Sequence, residues 1–393
     1  MPTHNIYKKS DARRTLAQWD NVMTFFRLLT LFTSSVLLLV AAPASAQNYD
    51  LLVENLPESL VAVEQANPPY PSRGIRSGQE GWVRVNFVVT AEGKVVDPII
   101  VDSVGGVEFE KSARNTVPKW TFEPTGEPVS NVTADIRFEI NQGRDLATSN
   151  FIRRHRRIMR SLYNEQNEDA RVWVDQAIET GGWNLYESTM LWLMIGRVEG
   201  AEGNDIGKLE AYRRAYAVNT RGAIKRDDRR ELLRRMFELE MGQSQFAAAN
   251  RTLSGLKRQI GDEQDLEELA GLEAELNRQL GGNDPIVARA TLYNPTDSAE
   301  GVPLWSYQPA RRTFSFAALN GNVERFEVRC ERNRLDGPVA AGRAWTLPDD
   351  ARECRVFVFG DDGASFDFVE YVDSDSVDTA ADAAVATNDG LDR

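Results

Sequence analysis

Val132-Thr133-Ala134-Asp135-Ile136-Arg137-Phe138-Glu139-Ile140 is apolar at every second position, with Thr, Asp, Arg and Glu between. A period of two over this length predicts a β-strand with one buried and one solvated face. The residues before it supply partners. Val83, Val85, Phe87 and Val89 alternate with Arg84, Asn86 and Val88, and Thr90-Ala91-Glu92-Gly93-Lys94 reads as a tight turn. Val95 to Val101 then continues as the second arm of a hairpin. Phe109, Ala113, Val117 and Trp120 recur at helical spacing, and Pro71 to Arg76 predicts a short helix with Pro at its start.

A right-handed crossover after the hairpin places Val132–Ile140 beside the first strand, in the sheet order second, first, third. Pro98 falls in the second strand, where proline is tolerated at an edge. The third strand is then expected to be the open edge. Its backbone, through Asn131, Val132, Thr133, Ala134, Asp135, Ile136, Arg137, Phe138 and Glu139, is the candidate peptide-binding site, since an unpaired edge accepts an extended segment by strand addition. The competing expectation is that residues 47–67 or the helical region cover it.

The period changes after residue 150. Residues 150–281 are rich in Arg, Glu, Ala and Leu and carry no strand signal. Trp192-Leu193, Gly196, Ala201, Gly203-Asn204, Ala211-Tyr212 and Ala215 resemble a tetratricopeptide-type helical hairpin. Leu233, Leu239, Met241-Gly242, Phe246, Ala247 and Leu253 suggest a second unit, and Ala170, Trp173 and Ala177 a weaker one before both. Residues 285–371 return to alternation at Phe326, Val328 and Cys330 and at Cys354, Val356 and Val358, with hairpin dipeptides Asn320-Gly321 and Asp362-Gly363. That predicts a small all-β domain. Residues 372–393, Asp- and Ala-rich without aromatics, are expected to be a disordered acidic tail. The fold class is therefore multidomain α+β.

Residues 1–46 read as an export signal. Arg27 precedes an apolar run to Ala42, and Ala44-Ser45-Ala46 fits small-residue cleavage between Ala46 and Gln47. The rival reading is an uncleaved anchor, although the run is short of the roughly 20 apolar residues of a span. Met23 is an alternative start. Residues 47–67 form a lead-in with Leu51, Leu52, Leu56, Leu60 and Val63 at roughly helical spacing around Pro57. Export to an oxidising compartment predicts a Cys330–Cys354 disulfide, with two buried thiols as the alternative.

The net charge of −13 argues against nucleic acid, which requires a cationic surface. His155, the one histidine after the signal, lies within Arg153-Arg154-His155-Arg156-Arg157 and makes a poor metal ligand there. That run reads as a solvated helix start. No nucleophile motif, phosphate loop or Cys/His cluster is present. A non-enzyme without metal or cofactor is expected.

Pro69-Tyr70-Pro71, Gly81 with Val83, Val85 and Phe87, Gly93-Lys94-Val95, Ser103, Phe109, Ala113 and Lys119-Trp120 with Phe122 and Pro124 together resemble the C-terminal domain of the TonB family. The resemblance covers residues 68–140, within a domain expected over 68–142. Val104-Gly105 and Pro118 depart from the usual pattern, and Pro118 predicts a helix that stops near Val117. The resemblance implies an α+β fold whose third strand holds the N-terminal segment of an outer-membrane transporter. Envelope proteins, outer-membrane receptors among them, are the implied partners, with membrane contact only if the signal segment is retained. Family members carry a long Pro-rich spacer. Here about 20 residues precede Pro68, reaching roughly 70 Å at full extension. The expectation is a periplasmic scaffold or accessory protein; the alternative is an energy transducer, single-pass in the inner membrane, if residues 28–42 remain as an anchor.

Overall fold

Nine consecutive positions that are apolar or uncharged, apart from Arg84, make Gly81–Val89 the strand around which the chain is layered. The computed structural model describes residues 49–54, 56–57, 59–140, 147–220, 222–259, 263–296 and 301–372. The signal segment and the acidic tail beyond Val372 lie outside the described residues. Strands β1 (Tyr49–Glu54) and β2 (Ala62–Glu64) precede helix α1 (Ser72–Ser77), the hairpin β3 (Gly81–Val89) and β4 (Val95–Val104), and helix α2 (Val107–Thr116). A 3-10 turn through Pro118 ends that helix, and β5 (Thr121–Phe122) and β6 (Val129–Ile140) follow. The main sheet is antiparallel in the order β1-β6-β3-β4. The hairpin and crossover thus produce the expected order of the three long strands, with β4 and its Pro98 at one edge.

Two expectations are corrected. The lead-in is not helical: Tyr49–Glu54 is a strand, registered antiparallel on β6 from Tyr49 opposite Ile140 to Glu54 opposite Asp135. A helix of that length is marginal in water, whereas pairing to a preformed edge satisfies its backbone. Nor is the polar face of β6 open to water: Asp135 is buried, and Asn131, Thr133, Arg137 and Glu139 are half-buried.

Helices α3 (Ser149–Tyr163), α4 (Asn167–Thr180), α5 (Leu185–Ala201), α6 (Asp205–Ala217), α7 (Arg226–Gly242), α8 (Phe246–Lys257) and α9 (Glu263–Gly281) pack as consecutive hairpins. Short connections force antiparallel neighbours. Gly196 lets Tyr212 approach closely, since a Cβ there would lie 2.4 Å from its ring. Asn184 and Glu187 form a capping box at the start of α5.

The C-terminal part is a sandwich of two four-stranded sheets. One contains β8 (Leu304–Tyr307), β10 (Val323–Arg329), β11 (Arg334–Pro338) and β13 (Arg355–Gly360); the other contains β7 (Ile286–Thr291), β9 (Thr313–Asn320), β12 (Ala344–Thr346) and β14 (Ser365–Tyr371). Phe314, Phe316, Phe326 and Phe368 fill the space between them. Gly321 and Gly363 take positive φ in the two predicted turns. Cys330 and Cys354 form a disulfide beside the paired residues Arg329 and Arg355.

These layers meet on the second face of the main sheet. Trp82 and Val104 pack with Leu185 and Val218 of the helices, and Ile99 and Val101 pack against Leu304, Phe357 and Phe359 of the sandwich. Glu80 is the polar tie: one carboxylate oxygen accepts from the Ile140 amide at 2.7 Å and the other from the Leu185 amide at 2.9 Å. Replacing Glu80 by Ala leaves both buried amides without that acceptor, and should lower the unfolding free energy in urea by about 2–4 kcal/mol. Substituting Cys330 and Cys354 by Ser should cost about 2–4 kcal/mol in the same measurement.

Candidate peptide-binding edge

The side chains of β6 divide strictly between two faces. Val132, Ala134, Ile136 and Phe138 enter the core beneath α2, together with Val83, Val85, Phe87, Phe109 and Trp120. The polar set faces the helices and the sandwich. Asp135 accepts a bidentate pair from Arg84 at 2.7 and 2.8 Å. Thr133 accepts from the Asn86 side chain at 3.0 Å, and Asn131 accepts from the same amide at 2.8 Å. Asn131 also donates to the Glu353 carbonyl, Arg137 donates to the Ala217 carbonyl, and Glu139 accepts from Thr220 at 2.9 Å. These polar groups are therefore occupied in joining the parts of the chain. What remains for a partner is the backbone.

That edge is not open along its length. β1 covers Asp135–Ile140 through six residue pairs. This corrects the expectation of an open third strand; the segment 47–67, weighed as the alternative, supplies the covering strand. Toward the start of β6, the Ser130 amide donates to the Glu331 carbonyl at 3.1 Å and its hydroxyl to the Asn333 carbonyl at 2.8 Å. Between these two closures, Val132–Ala134 pair with β3 on one side, and no strand pairs with Asn131–Ala134 on the other among the described residues. Sequence reasoning missed β1, although Leu51-Leu52-Val53 bounded by Asp50 and Glu54 is a short apolar run of strand length.

The motif residues hold the domain together. Tyr70 is buried edge-on to Phe109 and Phe138 at 5.6 and 5.7 Å, and its hydroxyl donates to the Gln79 carbonyl at 2.7 Å. Pro69 accepts from Ser112 through its carbonyl, and Pro71 precedes the first turn of α1. Gly81 is required because a Cβ would sit 2.5 Å from the Phe109 ring. Gly93 has φ +84° and lies against the Phe122 carbonyl. Ser103 donates to Glu110 at 2.7 Å, and Trp120 donates to the Ala66 carbonyl at 2.8 Å. Pro124 is exposed after β5. These residues shape and position the edge without forming a reactive cluster.

Elsewhere, the Arg153–Arg157 run lies on α3, where Arg157 stacks over Trp173 at 4.3 Å. Burial, then Arg197 and Arg156, push the His155 imidazole below its ordinary value. No group of three or more His, Cys, Asp or Glu side chains is placed to hold a metal among the described residues.

Hydrogen exchange separates the two sides of β6. Replacing Leu51 and Val53 by Pro should release β1, speeding exchange of the β6 amides bonded to it while those bonded to β3 keep their protection.

Residues 66–141 match the family described as Gram-negative bacterial TonB protein C-terminal. Protein TonB of Escherichia coli (strain K12) is 35% identical over 80 residues, which cover 20% of this chain and 33% of that protein. Protein TonB of Salmonella typhimurium (strain LT2) is 32% identical over 87 residues, covering 22% and 36%. A solution NMR structure of the Pseudomonas aeruginosa TonB CTD aligns at 28% identity over 22% of this chain and 93% of that one, with a TM-score of 0.19. The chain spans about a third of the length of these curated relatives. Residues 66–141 are thus a TonB C-terminal domain, carried in a larger chain of helical hairpins and β-sheets.

Proposed function

We propose that this chain acts in the bacterial envelope by holding an extended segment of a partner protein against β6, and that β1 is the built-in strand which the partner replaces. The pairing of β1 with β6 carries this reading: the edge already accepts an antiparallel strand from a segment remote in sequence. Strand addition draws its affinity from the backbone, which suits an edge whose polar side chains are engaged elsewhere. β1 is half the length of β6, so an entering segment can nucleate on Asn131–Ala134 and extend by exchange. The role is that of a non-enzymatic scaffold or accessory protein in the periplasm, with outer-membrane transporters as the partner class the family relationship suggests.

The alternative is a TonB-type energy transducer. It is favoured by the relatives, which are TonB proteins, and it requires residues 28–42 to remain as an anchor. No described helix is long and apolar enough to cross a membrane. Mass spectrometry of the mature protein decides between the two: an N-terminus at Gln47 supports the scaffold, and an intact Leu28–Ala42 segment in the inner membrane supports the transducer.

Strand exchange is tested with peptides copied from the N-terminal segments of outer-membrane transporters, followed by fluorescence anisotropy. Asp50 and Glu139 face each other across the pair, so Asp50→Cys with Glu139→Cys tethers β1 when oxidised. The tethered protein should lose binding at least about tenfold relative to either single variant, and Leu51→Pro with Val53→Pro should gain affinity as competition is removed. Undiminished binding by the tethered protein would show that the partner goes elsewhere.

A further inference from the structure

Where the main sheet, helices α6 to α8 and the sandwich converge, they enclose a cavity of about 500 Å³. That is within the range of small-molecule sites. In a chain of net charge −13, its lining is cationic: six arginines against four carboxylates. The carboxylates are already committed. Asp135 holds Arg84 at 2.7 Å, and Asp102 holds Arg214 at 2.8 Å. Glu210 and Glu240 hold Arg213 at 3.2 and 2.9 Å. Arg289, exposed at the rim, approaches Asp367 at 3.9 Å.

Arg251 of α8 and Arg355 of β13 are left with no carboxylate within ion-pairing distance among the described residues. Arg355 is partly buried, and its guanidinium donates to the Ser306 hydroxyl at 3.0 Å. A guanidinium ordinarily stays protonated far above neutral pH. Here burial, then Arg251, Arg84 and Arg213, push Arg355 down to about 9. A cation held among cations at a cavity wall is stabilised by an anion entering that cavity, because the partly dry surroundings strengthen their attraction.

We infer that this cavity is a binding site for a small dianion carrying carboxylate or phosphate groups, held by the guanidinium groups of Arg251 and Arg355. Two cations without a direct carboxylate partner suit a ligand with two negative charges, and guanidinium forks suit both oxyanion types. The cavity takes the Asp135 and Arg137 side chains of β6 into its wall, but the two anion-holding residues come from α8 and β13 rather than from the backbone edge that pairs with β1. It is independent of the strand-exchange reading.

The test uses the full mature chain, with succinate and inorganic phosphate as separate probes and chloride at matched ionic strength as the control. Thermal unfolding at about 10 mM of each probe should show a rise in Tm absent with chloride. Calorimetry on Arg355→Gln, and on Arg251→Gln as a second variant at an exposed position, should show affinity falling at least about tenfold, while Arg332→Gln, outside the cavity, leaves it unchanged. A response to succinate alone assigns a carboxylate ligand, and one to phosphate alone a phosphate-bearing ligand. Without ligand, Arg355→Gln should unfold at the same or a higher temperature, since cation crowding is relieved. The inference is overturned if neither probe acts beyond chloride, or if the response survives in both variants.

Discussion

Both faces of β3 are covered, and of its side chains only Arg84 reaches the cavity and is part-exposed. Trp82, Asn86 and Val88 are as deeply buried as Val83, Val85 and Phe87. An antiparallel sheet can ordinarily leave one side solvated, and the TonB-like part of the chain reads that way in sequence. Here the second side must be covered, and the helices and the sandwich pack on it. Burying an indole removes a large apolar area, but the polar groups beside it also need partners. Asn86 meets Arg329 of the sandwich at 2.9 Å, Arg334 meets Asp97 at 2.6 Å, and Glu80 caps two amides of different elements. The same demand that glues the layers leaves charged residues around the space where they fail to close.

What was legible in the sequence follows from local physics. The hairpin turn at Gly93, the helix stop at Pro118, the strand alternation and the Cys330–Cys354 bridge each depend on residues close in sequence or on a small set of options. The motif residues were also legible, and the structure explains them as packing: Gly81 under Phe109, Tyr70 between two rings, Trp120 anchored to Ala66. What the sequence concealed was long-range. Thr133, Asp135, Arg137 and Glu139 look like a solvated face because polar side chains facing water and polar side chains facing polar partners have the same pattern. Tyr49–Glu54 was hidden because its strand state depends on pairing with Asp135–Ile140, far along the chain. The cavity was hidden most fully, since its arginines come from three separate regions.

The edge of β6 is therefore partly covered and firmly held. Its N-terminal end is pinned to the sandwich through Ser130, its C-terminal end is tied to Glu80, and β1 lies along half of it. A partner strand would meet a platform already fixed in register, since the side chains of β6 are locked on both faces. Such preorganisation lowers the entropic cost of ordering the acceptor and leaves displacement of a six-residue strand as the main opposing term.

The disulfide has a consequence beyond the sandwich. The Ser130 hydroxyl donates to the carbonyl of Cys330 itself, the Ser130 amide meets the next residue, and Asn131 reaches the carbonyl of Glu353 beside Cys354. The covalent link thus joins the two loops that grip the beginning of β6. Oxidation is the step that finishes the joint between sandwich and strand. In reducing surroundings that joint would lack its covalent link, so the redox state of Cys330 and Cys354 sets how firmly β6 is mounted on the sandwich.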